Sequence, residues 1–154
     1  MARHWILDPE TCFLNHGSFG ATPLSVLEEQ SRLRSLIESD PVRFFERDYI
    51  PMMKGAVGKL SEFINADPEG LVFVKNTTEG VNTVLRSLDL KPGDEIMVTN
   101  HSYQACWNAV DFVTERSDAK TVVVDIPFRV KNEEEVVDLI MDKVTGKTVL
   151  AMID

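Results

Sequence analysis

The chain has 154 residues, a length that suits one ordinary domain or part of one. Its composition, 44% hydrophobic and 27% charged, is typical of a soluble globular protein, and no apolar run approaches the ~18 residues that a membrane span requires. The net charge of −9 argues against a nucleic-acid-binding surface, which requires clustered Lys and Arg. Asp8 and Glu10 interrupt the N-terminal segment, which therefore lacks the apolar core of a secretory signal, and a cytoplasmic location is expected.

The two cysteines, Cys12 and Cys106, lie far apart in the sequence. Neither has the spacing of a disulfide framework or of a zinc site, so no metal site is predicted. Both are predicted to be ordinary, largely buried thiols.

Residues 1–70 are predicted to form an N-terminal arm and helices. After a turn at residues 15–23, Pro23 is well placed to begin a helix, and Asp40 with Pro41 ends it. A further helix leads through Pro68 into the next segment. The apolar residues on these two helices are Leu24, Leu27, Leu33 or Leu36, and Ile37 on the first, and Met53, Val57, Leu60 and Ile64 on the second.

Residues 71–154 alternate between strand and helix patterns. Asn132, followed by Glu135, gives a capping signal for the last of the helices. This order predicts an α/β fold with a mostly parallel sheet covered by helices, in which ligands bind beyond the carboxyl ends of the strands. The strand candidates are residues 71–74, 95–99, 121–126 and 148–153, and the helix after the second strand is expected at about 102–115.

The turn between the first strand candidate and its helix is a candidate anion site. The segment 71–88 reads LVFVKNTTEGVNTVLRSL, and the apolar period changes between Lys75 and Gly80. Free N–H groups and hydroxyls at the start of a helix favour a negatively charged ligand such as phosphate. The alternative is that Asn76, Thr77 or Thr78 only caps the helix.

Two further polar segments carry candidate site residues. In FLNHGSFG, residues 13–20, two glycines allow a close approach to a ligand, and a simple structured turn is the alternative. Its His16 has a side chain suited to acid–base chemistry, although loop histidines also occur as ordinary surface residues. After the second strand, Tyr103 could stack on a planar ligand, or it could pack between helix and loop while Ser102 caps the helix.

Four blocks of the sequence occur in a fixed order: FLNHGSFGATP at 13–23, PVRFFERD at 41–48, FVKNTTEGVNTVL at 73–85 and PGDEIMVTNHSYQA at 92–105. Together they resemble the N-terminal part of class V aminotransferases, and more closely the branch of isopenicillin-N-epimerase-like proteins. The resemblance implies the N-terminal part of a pyridoxal-phosphate-dependent fold of type I, with a mostly parallel sheet, helices on both faces and a preceding helical arm. Residues 71–154 would then be the first, incomplete part of the cofactor-binding domain.

The resemblance also implies the cofactor, pyridoxal 5'-phosphate, and a homodimer with active sites near the subunit interface. Thr77 and Thr78 would bind the cofactor phosphate, and Tyr103 would stack on the pyridine ring. The residues that would lie near the carboxylate of an amino-acid substrate are Asn15, His16 and Gly17. Arg43 is a further candidate substrate contact, and an exposed or ion-paired arginine is the alternative.

The catalytic lysine is not expected in this chain. The family's Schiff-base lysine, and the carboxylate that pairs with the pyridinium nitrogen, follow the strand that ends at Asp154. Lys75 is nearest to the predicted phosphate, but it aligns with another position. The chain is therefore expected to be part of a longer protein and to be inactive alone.

The reaction expected of the whole protein is an epimerase, aminotransferase or lyase reaction on an amino acid. A cysteine desulfurase is disfavoured, because neither cysteine occupies the place of its nucleophile. The alternative from another class is a non-catalytic α/β fragment that acts as a binding or assembly module. A nucleotide-binding protein is disfavoured because the first turn has neither GxGxxG nor GxxxxGK[ST].

Overall fold

The computed structural model describes residues 2–153, and the chain divides into two compact units, Met1–Val72 and Phe73–Asp154. Asp154, which was expected to close the last strand, lies outside the described residues. Among the described residues, no helix is long and apolar enough to cross a membrane.

The first unit is helical. Helix α1 (Leu24–Ser39) follows Pro23 and stops before Asp40, as the sequence predicts. The Asp40 side chain then accepts a hydrogen bond from the N–H of Arg43 and so caps a short helix, α2. The bounds of the remaining elements are α2 (Pro41–Arg43), a π-helical turn (Phe44–Asp48), α3 (Tyr49–Ile64) and 3-10 turns at Ala2–His4 and Pro68–Gly70.

The second unit is an α/β layer. Its elements in chain order are α4 (Thr77–Ser87), β1 (Glu95–Thr99), α5 (Gln104–Arg116), β2 (Lys120–Val124), α6 (Glu133–Met141) and β3 (Thr148–Met152). The strands form a three-stranded parallel sheet in the order β2-β1-β3. Val98 of the central strand, β1, lies opposite Val123 on one side and Met152 on the other. The predicted parallel α/β architecture is confirmed.

Helices cover both faces of this sheet, as expected. Side chains alternate along β1, so Ile96 and Val98 face one side and Met97 faces the other. The first side packs against α4 and α5 and has Leu85 and Val110 at its centre. The second side packs against α6, whose contacting residues are Val136, Leu139 and Ile140.

The predicted strand at residues 71–74 does not form. The backbone is extended at Leu71, with φ −110° and ψ 136°, but the segment pairs with no strand among residues 2–153. Val72 is 83% exposed, whereas the apolar run indicated burial on both faces. The expectation was wrong because an apolar run reports a preference for burial, while a strand also requires a neighbour to pair with.

The expectation for the cysteines holds for only one of them. Cys106 is buried in α5, but Cys12 is exposed. Cys12 follows an exposed turn in which the Asp8 carboxylate accepts hydrogen bonds from Glu10 and Thr11, so its surroundings are polar. No group of His, Cys, Asp or Glu side chains among residues 2–153 is arranged to hold a metal ion.

Candidate functional site

Asn76 caps helix α4. Its Oδ1 accepts a hydrogen bond from the N–H of Glu79 at 2.9 Å. The Glu79 carboxylate in turn accepts from the N–H of Lys75 at 2.8 Å. The cap that the sequence offered as one interpretation of this turn is therefore present, and it is made by Asn76.

The cap does not use the donor groups of the first two residues of α4. Within residues 2–153, neither the N–H groups nor the hydroxyls of Thr77 and Thr78 form a hydrogen bond. Thr77 is exposed and Thr78 is half-buried. These four donors lie at the positive end of the helix dipole, so the turn can bind an anion as well as cap the helix.

Helix α6 has the same cap but a different first turn. Asn132 accepts from the N–H of Glu135 at 3.0 Å, and the Glu135 carboxylate accepts from the N–H of Lys131 at 2.6 Å. However, all three residues of its first turn, Glu133–Glu135, are acidic. Their charges disfavour an anion at α6, whereas the first two residues of α4 are threonines.

Tyr103 lies at the start of α5, just beyond the end of β1. It is the N-cap residue, and its carbonyl accepts from Cys106 at 2.9 Å and from Trp107 at 3.0 Å. The residue is 63% exposed, and stacking on a ligand and packing between helix and loop both remain predictions. The alternative in which Ser102 caps this helix is wrong, because the Ser102 hydroxyl accepts instead from the N–H of Thr99 at 3.2 Å.

The start of α4 and Tyr103 lie at the same edge of the sheet. Thr77 borders an open apolar groove of about 360 Å³ that also contacts Met152 at the carboxyl end of β3. Met152 pairs with Val98 in β1, and Tyr103 follows the end of β1. The phosphate and ring candidates thus lie at the carboxyl ends of neighbouring parallel strands, where this fold class binds ligands.

The sequence did not reveal that the Asn100 side chain forms hydrogen bonds at this edge of the sheet. This side chain bonds to both backbone groups of Ile126, with its Oδ1 2.9 Å from the nitrogen and its Nδ2 3.2 Å from the oxygen. The only local signal was a polar residue at a strand end, because the partner lies more than twenty residues further along the chain.

In the first unit, Asn15, His16 and Gly17 lie in an exposed turn. The Asn15 carbonyl accepts from the N–H of Phe19 at 3.1 Å, and the His16 ring packs edge-on against Phe13 at 4.8 Å. The turn requires Gly20, because a Cβ there would lie 2.8 Å from the His16 carbonyl oxygen. The structured-turn interpretation describes this geometry, and the substrate role of the three residues remains a prediction.

Arg43 is exposed, and its Nε lies 3.5 Å from the Asp48 carboxylate across the π-helical turn. This exposed ion pair is the alternative that the sequence offered. A substrate contact by Arg43 remains a prediction, and an exposed pair of this kind is weak enough to open when a carboxylate ligand binds.

The fold and the site define a protein of the parallel α/β class with a candidate anion-binding turn at the carboxyl edge of its sheet. Residues 26–153 match the family described as Aminotransferase class-V. The chain belongs to this family.

Individual relatives agree with this assignment. Hercynylcysteine sulfoxide lyase of Schizosaccharomyces pombe is 32% identical over 127 residues, which is 82% of this chain and 32% of the relative. Isopenicillin N epimerase of Streptomyces clavuligerus is 32% identical over 108 residues, which is 68% of this chain and 27% of the relative. The chain therefore spans about a third of the length of the relatives that it matches.

A solved structure confirms the fold. A mutant of C-DES with glycine covalently linked to its PLP cofactor matches with a TM-score of 0.83 and 20% identity, over 94% of this chain and 38% of that one. Membership of this family indicates pyridoxal phosphate as the cofactor.

Proposed function

We propose that this chain forms the phosphate- and ring-binding part of a pyridoxal-phosphate-dependent enzyme that acts on an amino-acid substrate. The observation that carries the proposal is the pair of threonines, Thr77 and Thr78, with unpaired N–H and hydroxyl donors at the carboxyl edge of a parallel sheet. A phosphate ester fits such donors, because each can make a charge-assisted hydrogen bond to a phosphate oxygen.

The remaining predicted residues take complementary roles. Tyr103 orients the pyridine ring by stacking, from its position just beyond the end of β1. Asn15, His16 and Gly17 contact the carboxylate side of the substrate, and Arg43 exchanges its contact with Asp48 for the substrate carboxylate. The bound cofactor supplies an electron sink for chemistry at the substrate α-carbon.

The relatives support an epimerase, aminotransferase or lyase type of reaction without separating them, because one is named a lyase and another an epimerase. The Schiff-base lysine would lie in a part of the family that this chain does not span. We propose that the whole protein is a homodimer, as the resemblance implies, and that it is cytoplasmic.

The test is direct titration of the chain with pyridoxal phosphate, followed by equilibrium dialysis. The Thr77→Val/Thr78→Val double variant keeps side-chain shape but removes both hydroxyls, and affinity is expected to fall about 10-fold to 100-fold. Thr83→Val is the matched control, since Thr83 lies on the same helix and its hydroxyl bonds to the Glu79 carbonyl. Equal affinity of the double variant and the control would refute a contact between the two hydroxyls and the phosphate, and no binding by the unmodified chain would favour a non-catalytic module.

A further inference from the structure

The side-chain amide of Asn100 holds the end of β1 against the segment that follows β2. Its Oδ1 accepts from the N–H of Ile126, and its Nδ2 donates to the Ile126 carbonyl and to the Asp125 carboxylate. The opposite orientation of the amide would place an oxygen against two acceptors, so the hydrogen-bond partners fix which way it points.

The neighbouring residues add to this attachment. The N–H of Asn100 donates to the Val124 carbonyl at 3.0 Å, which continues the β1–β2 ladder by one bond. The Nε2 of His101 lies 2.8 Å from the Ile126 carbonyl, and it is the donor because a carbonyl only accepts. Four hydrogen bonds from two residues thus converge on the backbone of Val124 and Ile126.

The loop that this attachment holds is the one that carries Tyr103. Between the last residue of β1, Thr99, and the first residue of α5, Gln104, the chain has no regular structure of its own. Tyr103 is the last residue of this segment, and its carbonyl accepts from the N–H groups of Cys106 and Trp107 in α5. The backbone from which its ring projects is therefore held by α5 on one side and by the attachment of Asn100 and His101 on the other.

We propose that Asn100 is a positioning residue of the cofactor site, which sets the ring of Tyr103 by attaching its loop to the end of β2. This inference rests on the proposed function, because it assigns Tyr103 to the pyridine ring. It separates two parts of the site: the phosphate contacts depend on α4, and the ring contact depends on the connection between β1 and β2.

The experiment compares two probes, pyridoxal phosphate and inorganic phosphate, on the unmodified chain and on Asn100→Ala. Affinity for pyridoxal phosphate is expected to fall about 10-fold in the variant, because lost hydrogen bonds leave the loop in several arrangements. Affinity for inorganic phosphate is expected to change less than twofold, since the turn at Thr77 is untouched. Amide hydrogen exchange at residues 101–103 is expected to accelerate about 10-fold.

Asn108→Ala is the matched control, an exposed asparagine on α5 whose Oδ1 accepts, within residues 2–153, only from the Gln104 side chain. It is expected to retain both affinities. If Asn100→Ala fails to fold, Asp125→Ala removes only the exposed carboxylate partner and is expected to weaken pyridoxal phosphate binding about threefold.

The outcomes separate the two proposals. If the unmodified chain binds pyridoxal phosphate and Asn100→Ala binds it equally well, the positioning role is refuted while the cofactor site stands. If Asn100→Ala loses both probes equally, its role is general stability and the inference is likewise refuted. If the unmodified chain binds neither probe, the proposed function itself fails. If Asn100→Ala does not fold but Asp125→Ala does, the affinity of Asp125→Ala for pyridoxal phosphate decides. An unchanged affinity of that variant refutes the positioning role of Asn100.

Discussion

Replacing Asn76 with aspartate separates the two roles of the turn before α4. Aspartate caps a helix about as well as asparagine, and its charge adds about 0.3–1 kcal/mol of favourable interaction with the helix dipole. The hydrogen bond from Glu79 to Oδ1 of residue 76 is kept. Thermal unfolding of Asn76→Asp is therefore expected to show equal or greater stability.

The same charge is expected to weaken phosphate binding. A phosphate held by the N–H of Thr77 would lie roughly 6 Å from the new carboxylate, and at effective dielectric constants of about 20–80 the repulsion is about 0.7–3 kcal/mol per pair of unit charges. Affinity for pyridoxal phosphate and for inorganic phosphate is thus expected to fall between about 3-fold and 150-fold, as measured by isothermal titration.

Asn132→Asp is the matched control, because α6 has the same Asn–Glu cap with an acidic first turn. Its stability should respond in the same way as that of Asn76→Asp, and its affinity for phosphate should not change. Equal loss of affinity in the two variants would indicate a general charge effect. Unchanged affinity in Asn76→Asp would refute the assignment of the phosphate to α4.

Three further predictions concern stability and ionisation. Leu85→Ala removes a side chain that is 2% exposed in the core, and is expected to cost about 2–5 kcal/mol in denaturant unfolding; a cost below about 1 kcal/mol would contradict the packing. Gly93→Ala forces alanine to a φ of +86° and is expected to cost about 1–2 kcal/mol, whereas an unchanged unfolding midpoint would show that the turn rearranges. The pKa of Asp8 lies below its usual value because the Glu10 N–H and the Thr11 hydroxyl donate to its carboxylate, so Thr11→Val should raise that pKa only part of the way in an NMR titration. A lowered acid pKa stabilises the fold above the pKa of the unfolded chain, and this contribution disappears as pH falls through the folded pKa; no change in Thr11→Val would refute the hydroxyl contribution.

The features that the sequence predicted well are those that neighbouring residues determine. The cap of α6 follows from Asn132 three residues before Glu135, because donor and acceptor lie within one turn. For α4 the sequence offered Asn76, Thr77 or Thr78 as the cap, and the structure has Asn76. The central strand β1 was evident from a compact apolar run, since four of its five residues, Ile96–Thr99, are buried by helices on both faces.

The features that the sequence missed depend on distant partners or on backbone detail. Residues 71–74 have the composition of a buried strand, but strand formation requires a paired edge that composition does not report. The π-helical turn Phe44–Asp48 inserts one residue into a helical path without a distinctive side-chain pattern. Asn100 could not be assigned a role because its partners, Asp125 and Ile126, become neighbours only when β2 aligns beside β1.

The strand order β2-β1-β3 also bears on how the chain folds as it is synthesised. β1 is the central strand, and its second neighbour begins at Thr148. At ~5–20 residues per second, a ribosome needs roughly 3–10 s to add the intervening residues, about fifty in number. During that interval one edge of the most buried strand has no partner, so the nascent chain is expected to require protection by a chaperone until β3 emerges.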